Sequence, residues 1–143
     1  MDKKVLFAKE WFDFGKIDLE LAMKLFEENL EDKWTNIVCY HCEQGAEKFL
    51  KGLRVFNGLQ NKTIHYLDEL YKDCEQYIEK YEQNVCDACA NLQSYAVSVR
   101  YPGYEELEYD DMRDAIQDAI IIREFVNENS GGLIDECEFS FDE

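Results

Sequence analysis

Proline is almost absent from this chain: Pro102 is the one proline in 143 residues, and glycine occurs 7 times. So few breakers favour long helices over a many-stranded sheet with frequent turns. No apolar run approaches the ~20 residues of a membrane span, and Met1-Asp2-Lys3-Lys4 opens no signal-peptide hydrophobic region. The expected location is therefore the cytoplasm, with no membrane partner. Positive charge is the next shortage. Lys and Arg number 15 against 32 Asp and Glu, a formal net charge of −17. That balance repels a phosphate backbone at long range and argues against nonspecific DNA or RNA binding. It leaves room for a local basic site and suits docking onto a basic protein. Histidine is scarce as well, with His41 and His65 the two in the chain.

What is present is a single domain's worth of apolar residues with helical spacing. The stretch 37–53 reads as a helix with two unlike faces. Val38, Cys42, Gly45, Phe49, Leu53 and Phe56 recur three or four apart, and Cys39, Ala46 and Leu50 widen the stripe. Gly45 and Ala46 make its middle small, so another helix can approach the backbone there. His41, Gln44, Lys48 and Lys51 form a polar ridge on the other side.

Taken in order, a first helix is expected from about Val5 to Glu28, with Phe7, Trp11, Phe14, Leu21, Ala22 and Leu25 facing inward. Asp18 falls on that seam, where it either meets a positive or hydrogen-bonding partner or lies at the edge in water. After a short acidic link the ridge helix runs from about Trp34 to Val55, antiparallel to the first, and Gly58 is its C-cap candidate. Thr63 is an N-cap candidate for a third helix whose inward residues are Leu67, Leu70, Tyr71 and Cys74, with His65 in its first turn. A fourth helix starts near Gln83 and stops near Arg100, before Pro102-Gly103. Asp110 and Asp111 open a last helix carrying Met112, Ala115, Ile116, Ala119, Ile122 (or Arg123) and Val126. The expected architecture is an all-α, antiparallel up-and-down bundle of four long helices plus a shorter one over residues 1–128. Residues 129–143 form an acidic, flexible tail.

Six cysteines in a chain without a secretory signal are expected as free thiols. Cys39-x-x-Cys42 and Cys86-x-x-Cys89 fall inside predicted helices, on or beside apolar stripes, so packing accounts for them better than zinc or redox chemistry. No metal site is expected, and without a Glu-x-x-His pair a ferritin-like di-iron bundle is unsupported.

Three features coincide along the chain: Gln44-Gly45-Ala46-Glu47-Lys48-Phe49-Leu50-Lys51, then Thr63-Ile64-His65-Tyr66-Leu67, then Arg100-Tyr101-Pro102 before the final helix. With Asp18-Leu19 in the first helix they resemble the HEPN domain family. Its members show a Gln-x-Ala-Glu-Lys-x-Leu-Lys run, a Thr-His-x-Leu-like segment and an Arg-Tyr-Pro break. The resemblance implies a bundle like the C-terminal domain of aminoglycoside nucleotidyltransferases, a homodimer, and a minimal nucleotidyltransferase as partner. It implies two roles: nucleotide binding (ATP, for example) or service to that partner, and metal-independent ribonuclease activity of the toxin–antitoxin kind. The ribonuclease members carry Arg-x4–6-His at a dimer cleft. Here Glu105 stands five residues after Arg100, and both histidines precede it, so that pattern is broken. No catalytic residue is assigned.

The nucleotide or phosphate candidates are Arg100, Lys48, His41 and Gln44, supported by Asp18, Tyr101, Tyr104 and His65. Arginine suits phosphate as a bidentate fork and lysine as a point charge. Lys51 and Arg54 are expected to be structural, Lys51 as a solvated pair with Glu47. The tyrosines suit packing, an interface, or modification by a nucleotidyltransferase. A non-catalytic protein-interaction module is the remaining reading.

Overall fold

The computed structural model describes residues 2–28, 34–60, 63, 65–78, 80–98 and 107–136. It is the expected all-α bundle, with no strand among the described residues. The helices are α1 (Lys3–Glu27), α2 (Thr35–Phe56), α3 (Leu67–Cys74), α4 (Gln83–Ser98), α5 (Tyr109–Asn129) and the short α6 (Leu133–Glu136). A 3-10 turn, Glu75–Tyr77, follows α3.

α2 is the central element and packs on α1, α3, α4 and α5. The stripe read from its sequence is the core: Val38, Cys39, Cys42, Ala46, Phe49, Leu50 and Leu53 are all fully buried. Each large side chain among them contributes about 1.5–3 kcal/mol by leaving water. α3 turns in Leu67, Leu70, Tyr71 and Cys74, α4 Val85, Cys89 and Leu92, and α5 Met112, Ala115, Ala119, Ile122 and Val126, as their spacing predicts.

The small middle of α2 does what its residues allow. A Cβ on Gly45 would stand 3.1 Å from the carbonyl oxygen of Gly15, and a Cβ on Gly15 would stand 2.9 Å from the Phe49 ring. Further along, a Cβ on Gly52 would lie 2.5 Å from the Phe12 ring. Gly58 approaches Lys4 in turn, so residues rising along α2 meet residues falling along α1. The pair is antiparallel and in backbone contact.

This approach corrects the expected inner face of α1. Phe7, Phe14 and Leu21, read as inward, are exposed, while Ala8, Phe12, Gly15, Leu19 and Ala22 are buried. A helix lying almost backbone to backbone must turn its small residues in. Ala8, Gly15 and Ala22 recur every seven residues on that line, and the larger side chains rotate away from it.

The helix ends explain themselves locally. The Asp2 carboxylate caps α1 by accepting the Lys4 backbone N–H at 2.9 Å. Gly58, at φ +85°, ends α2 as expected. α5 begins with a capping box in which the Glu108 N–H donates to Asp111 at 2.8 Å. Thr63 is not the N-cap of α3: the helix starts later, at Leu67 after Tyr66, and His65 precedes it rather than sitting in its first turn.

The start of the expected tail is ordered. Gly131 and Gly132, at φ +68° and +80°, turn the chain back, and α6 buries Leu133 and Ile134. Asn127 clamps it: its Oδ1 accepts the N–H of Ile134 at 3.0 Å and of Asp135 at 3.2 Å. Its Nδ2 donates to Asp135 at 2.8 Å, and buried Lys16 donates to the Ile134 carbonyl at 3.1 Å. Arg123 and Asn127 together hold the Asp135 carboxyl below the usual carboxylate range.

Gly52→Ala sets two effects against each other. Alanine gains about 1 kcal/mol of helix propensity over glycine, whereas forcing a methyl into the Phe12 ring costs about 1–3 kcal/mol or more. Overpacking wins, so the urea midpoint of Gly52→Ala should fall below that of the parent. An equal or higher midpoint would mean that the α1–α2 contact is loose.

Candidate functional site

Gly45 also creates the floor of the polar ridge. The Asp18 Cβ lies 3.5 Å from where a Gly45 Cβ would stand. His41 and Lys48 are one helical turn to either side of that gap, so a carboxylate rising from α1 reaches both. Asp18 Oδ1 meets the Nδ1 of His41 at 2.9 Å, and Oδ2 accepts a hydrogen bond from the Lys48 ammonium. Asp18 is buried, and His41 and Lys48 are half-buried. The Tyr40 ring meets the His41 imidazole edge-on, with centroids 5.2 Å apart. Of the two readings open for Asp18, the paired one is realised. Its carboxylate tolerates burial because two donors satisfy it. With Nδ1 donating to Asp18, Nε2 of the neutral His41 ring is an acceptor. Gln44 lies between them on the ridge and donates its amide N–H to Glu43 at 2.9 Å.

His65 does not join this group. It meets Glu47 Oε1 at 3.1 Å, and Lys51 meets Glu47 Oε2 at 3.4 Å. The Lys51 ammonium in turn lies 5.5 Å from the centre of the Trp11 ring. The Glu47–Lys51 pair is thus real, but it is buried rather than solvated, because Trp11 of α1 covers it. Sequence reasoning paired Glu47 with Lys51 but missed the burial of Glu47. Its signal was an acid in the middle of the helix that packs against every other long helix, with Lys51 four residues on. Arg54 is committed to structure: buried, it donates to Asp73 at 3.0 Å and to the Gln60 carbonyl at 2.6 Å, tying the end of α2 to α3. The remaining candidates, Arg100, Tyr101 and Tyr104, lie outside the described residues.

The five described cysteines behave as packing residues, and Cys137 lies outside the described residues. Cys39, Cys42, Cys74 and Cys89 are buried free thiols and Cys86 is partly buried. Burial pushes the thiols of Cys39 and Cys74 up to about 12, and those of Cys42 and Cys89 upward too, so none is a ready nucleophile. Among the described residues no group of three or more His, Cys, Asp or Glu is set to hold a metal ion. Beside these thiols, burial raises the Asp118 carboxyl to about 6, against a hydrogen bond from Asn91 that lowers it. Its Oδ2 is buried without a hydrogen-bond partner.

The fold and the buried Asp18 between two ridge donors define an antiparallel helical bundle with a small polar cluster at the α1–α2 crossing. The HEPN domain family model matches residues 8–129, and the chain belongs to that family. Its fold is similar to that of TT1696 from Thermus thermophilus, at 23% identity and a TM-score of 0.73 over 85% of this chain and 97% of that one. It is similar as well to ST0689, an archaeal HEPN homologue, at 23% identity and a TM-score of 0.67 over 90% of this chain and 98% of that one. No curated protein matches the chain. Among the described residues no helix is long and apolar enough to cross a membrane.

Two outcomes follow from this geometry. Asp18→Ala strands the Lys48 ammonium and the His41 N–H against α1 and should destabilise the fold by about 1–3 kcal/mol. Long-range nitrogen–proton NMR should find neutral His41 as the Nδ1–H tautomer in the parent and as a mixture in Asp18→Ala. A mixture already present in the parent would refute the assignment. The second outcome concerns Asp118. Its folded-state carboxyl titrates near 6 rather than at the ordinary 3.8, so folding favours the protonated form. The charged form weakens the fold as pH rises through that interval. Asp118→Asn should match the parent's stability near pH 3.5 and exceed it at pH 7.5. The gain should be about 1 kcal/mol once solvent screening of a half-exposed group is discounted. Denaturation midpoints at the two pH values decide it, and a pH-independent difference would count against the shift.

Proposed function

We propose that this chain is a nucleotide-binding accessory module that works with a nucleotidyltransferase-type partner. The observation that carries this reading is the placement of His41 and Lys48 side by side on one carboxylate, Asp18. An ammonium has three donors, and Lys48 spends one on Asp18. The remainder can meet phosphate oxygens in an orientation that α1 and α2 hold fixed, and His41 Nε2 can join them as a donor in the protonated imidazolium. Arg100 would complete the set as a bidentate fork, flanked by Tyr101 and Tyr104. Gln44 supplies an amide between the two ridge residues. The net charge of −17 favours a mononucleotide over a long polyanion, because repulsion accumulates along a phosphate chain. A ribonuclease reading lacks its histidine downstream of Arg100. A non-catalytic interaction module gains support from one feature, the apolar side chains exposed on α1.

Calorimetric titration of ATP, GTP, CTP and UTP into the parent, Lys48→Ala and Arg100→Ala tests the proposal. Saturable binding of at least one nucleotide is expected, weakened about tenfold or more in each variant. That is the scale of one charge-assisted hydrogen bond of about 1.5–3 kcal/mol. No binding by the parent, or binding that ignores both substitutions, would overturn it.

A further inference from the structure

A groove between α1 and α5 opens where α6 ends. Lys16 and Arg123 stand at its mouth, and both hold α6: Lys16 donates to the Ile134 carbonyl, and Arg123 donates to the Asp135 carboxylate. From there the groove passes over Leu19 to Met23 and Ile120. Leu19 is buried, but Met23 is 39% exposed and Ile120 36%, so the far end is apolar and open to water. Its volume is about 360 Å³, and a cavity of about 150 Å³ already takes a benzene ring.

Residues 137–143, outside the described residues, continue the chain from α6 as Cys-Glu-Phe-Ser-Phe-Asp-Glu. The order alternates. On an extended chain Cys137, Phe139 and Phe141 share one side, and Glu138, Ser140 and Asp142 share the other. We infer that this segment lies extended in the α1–α5 groove of its own chain, with the Phe139 ring between Met23 and Ile120.

The reach fits. At about 3.3 Å per extended residue, Phe139 stands about 10 Å beyond Glu136 and Phe141 about 17 Å. Along α1, at about 1.5 Å per residue, Met23 stands about 10 Å beyond Lys16 and Phe26 about 15 Å. Phe141 thus arrives at Phe26, whose ring meets that of exposed Tyr109 with centroids 5.2 Å apart. The seating also extends packing that already exists, because α6 buries Leu133 and Ile134 and packs on both α1 and α5. Tethering favours this segment over a separate partner: it follows directly on a helix fixed at the groove's mouth, and so short a link gives an effective concentration on the order of millimolar. Glu20 and Glu124 line the groove as well. The alternation answers them, since the segment turns its aromatics in and its own acids out to water. This inference does not rest on the nucleotide reading and can fail or hold without it.

Chymotrypsin cleavage after Phe139 and Phe141, followed by mass spectrometry of the full chain, tests the seating against a synthetic peptide of residues 137–143. The parent should be cut at least about tenfold more slowly than the peptide, because cleavage tracks the open population. Met23→Asp and Ile120→Asp should each speed cleavage of the chain about tenfold; both positions are exposed, and unchanged helical circular dichroism would show that the fold is kept. Proton NMR of the parent should show Overhauser effects between the Phe139 ring and the methyls of Met23 and Ile120. Protection should not vary with protein concentration. Cleavage at the peptide's rate, protection that survives both substitutions, or absence of those Overhauser effects would overturn the proposal. Protection lost on dilution would overturn it too, by placing the segment on another molecule.

Discussion

The contact between the backbones of α1 and α2 governs this structure. Where a Gly45 Cβ would stand, the Gly15 carbonyl is 3.1 Å away, and side chains on either helix would hold the two apart. The approach fixes the rotation of α1 about its own axis. Ala8, Gly15 and Ala22 must face α2, and the orientation of the remaining residues on α1 follows from helical geometry. Phe12 goes under Gly52, Trp11 goes over Lys51, and Asp18 goes between His41 and Lys48.

Both polar clusters of α2 are consequences of that rotation. Glu47 and Lys51 are buried because Trp11 roofs them, and a pair that would be worth little in water is held in a protected setting. Asp18, His41 and Lys48 form a group in which the acid makes the two donors tolerable near the core and they do the same for it. Removing any one member leaves the others with unmet hydrogen bonds, which is costlier than the bonds are valuable. The polar groups that look functional are thus also structural, and the same carboxylate that aims them fixes how tightly the helices sit.

Much of this could be read from residues alone. The stripe of α2 and those of α3 to α5 are long or regular, and burial follows period in such segments. Gly45 announced a close approach and Gly58 a C-cap, because glycine is chosen for what a Cβ would prevent. The inner face of α1 was misread because apolar size was taken to mark it, when close packing selects small residues there. Large aromatics then keep the same helical period on the wrong side. Thr63 looked like a cap, yet the chain stays extended at Tyr66 before α3 begins. α6 was invisible because four residues give no period, and what holds it is Asn127, whose side chain stands in for backbone partners. Within the candidate site, the pairing of Asp18 was open from sequence. Choosing its partners required knowing which residues of α2 flank the gap at Gly45.

The same group of three also limits how a phosphate can be held. A ligand that engages Lys48 does not find a free cation; it shares the ammonium with Asp18. Its Coulomb gain is reduced by the carboxylate that stays in place. Binding strength is then set less by charge than by orientation, since the donors are already positioned and lose little freedom on binding. Such a site, if it binds as proposed, would discriminate by the geometry of a few oxygen atoms and would gain little from the length of a phosphate chain. In a protein this acidic, the proposed site would separate small anions from nucleic acids: the long-range field would repel the polymer, and the fixed donors would still meet a single group at close range.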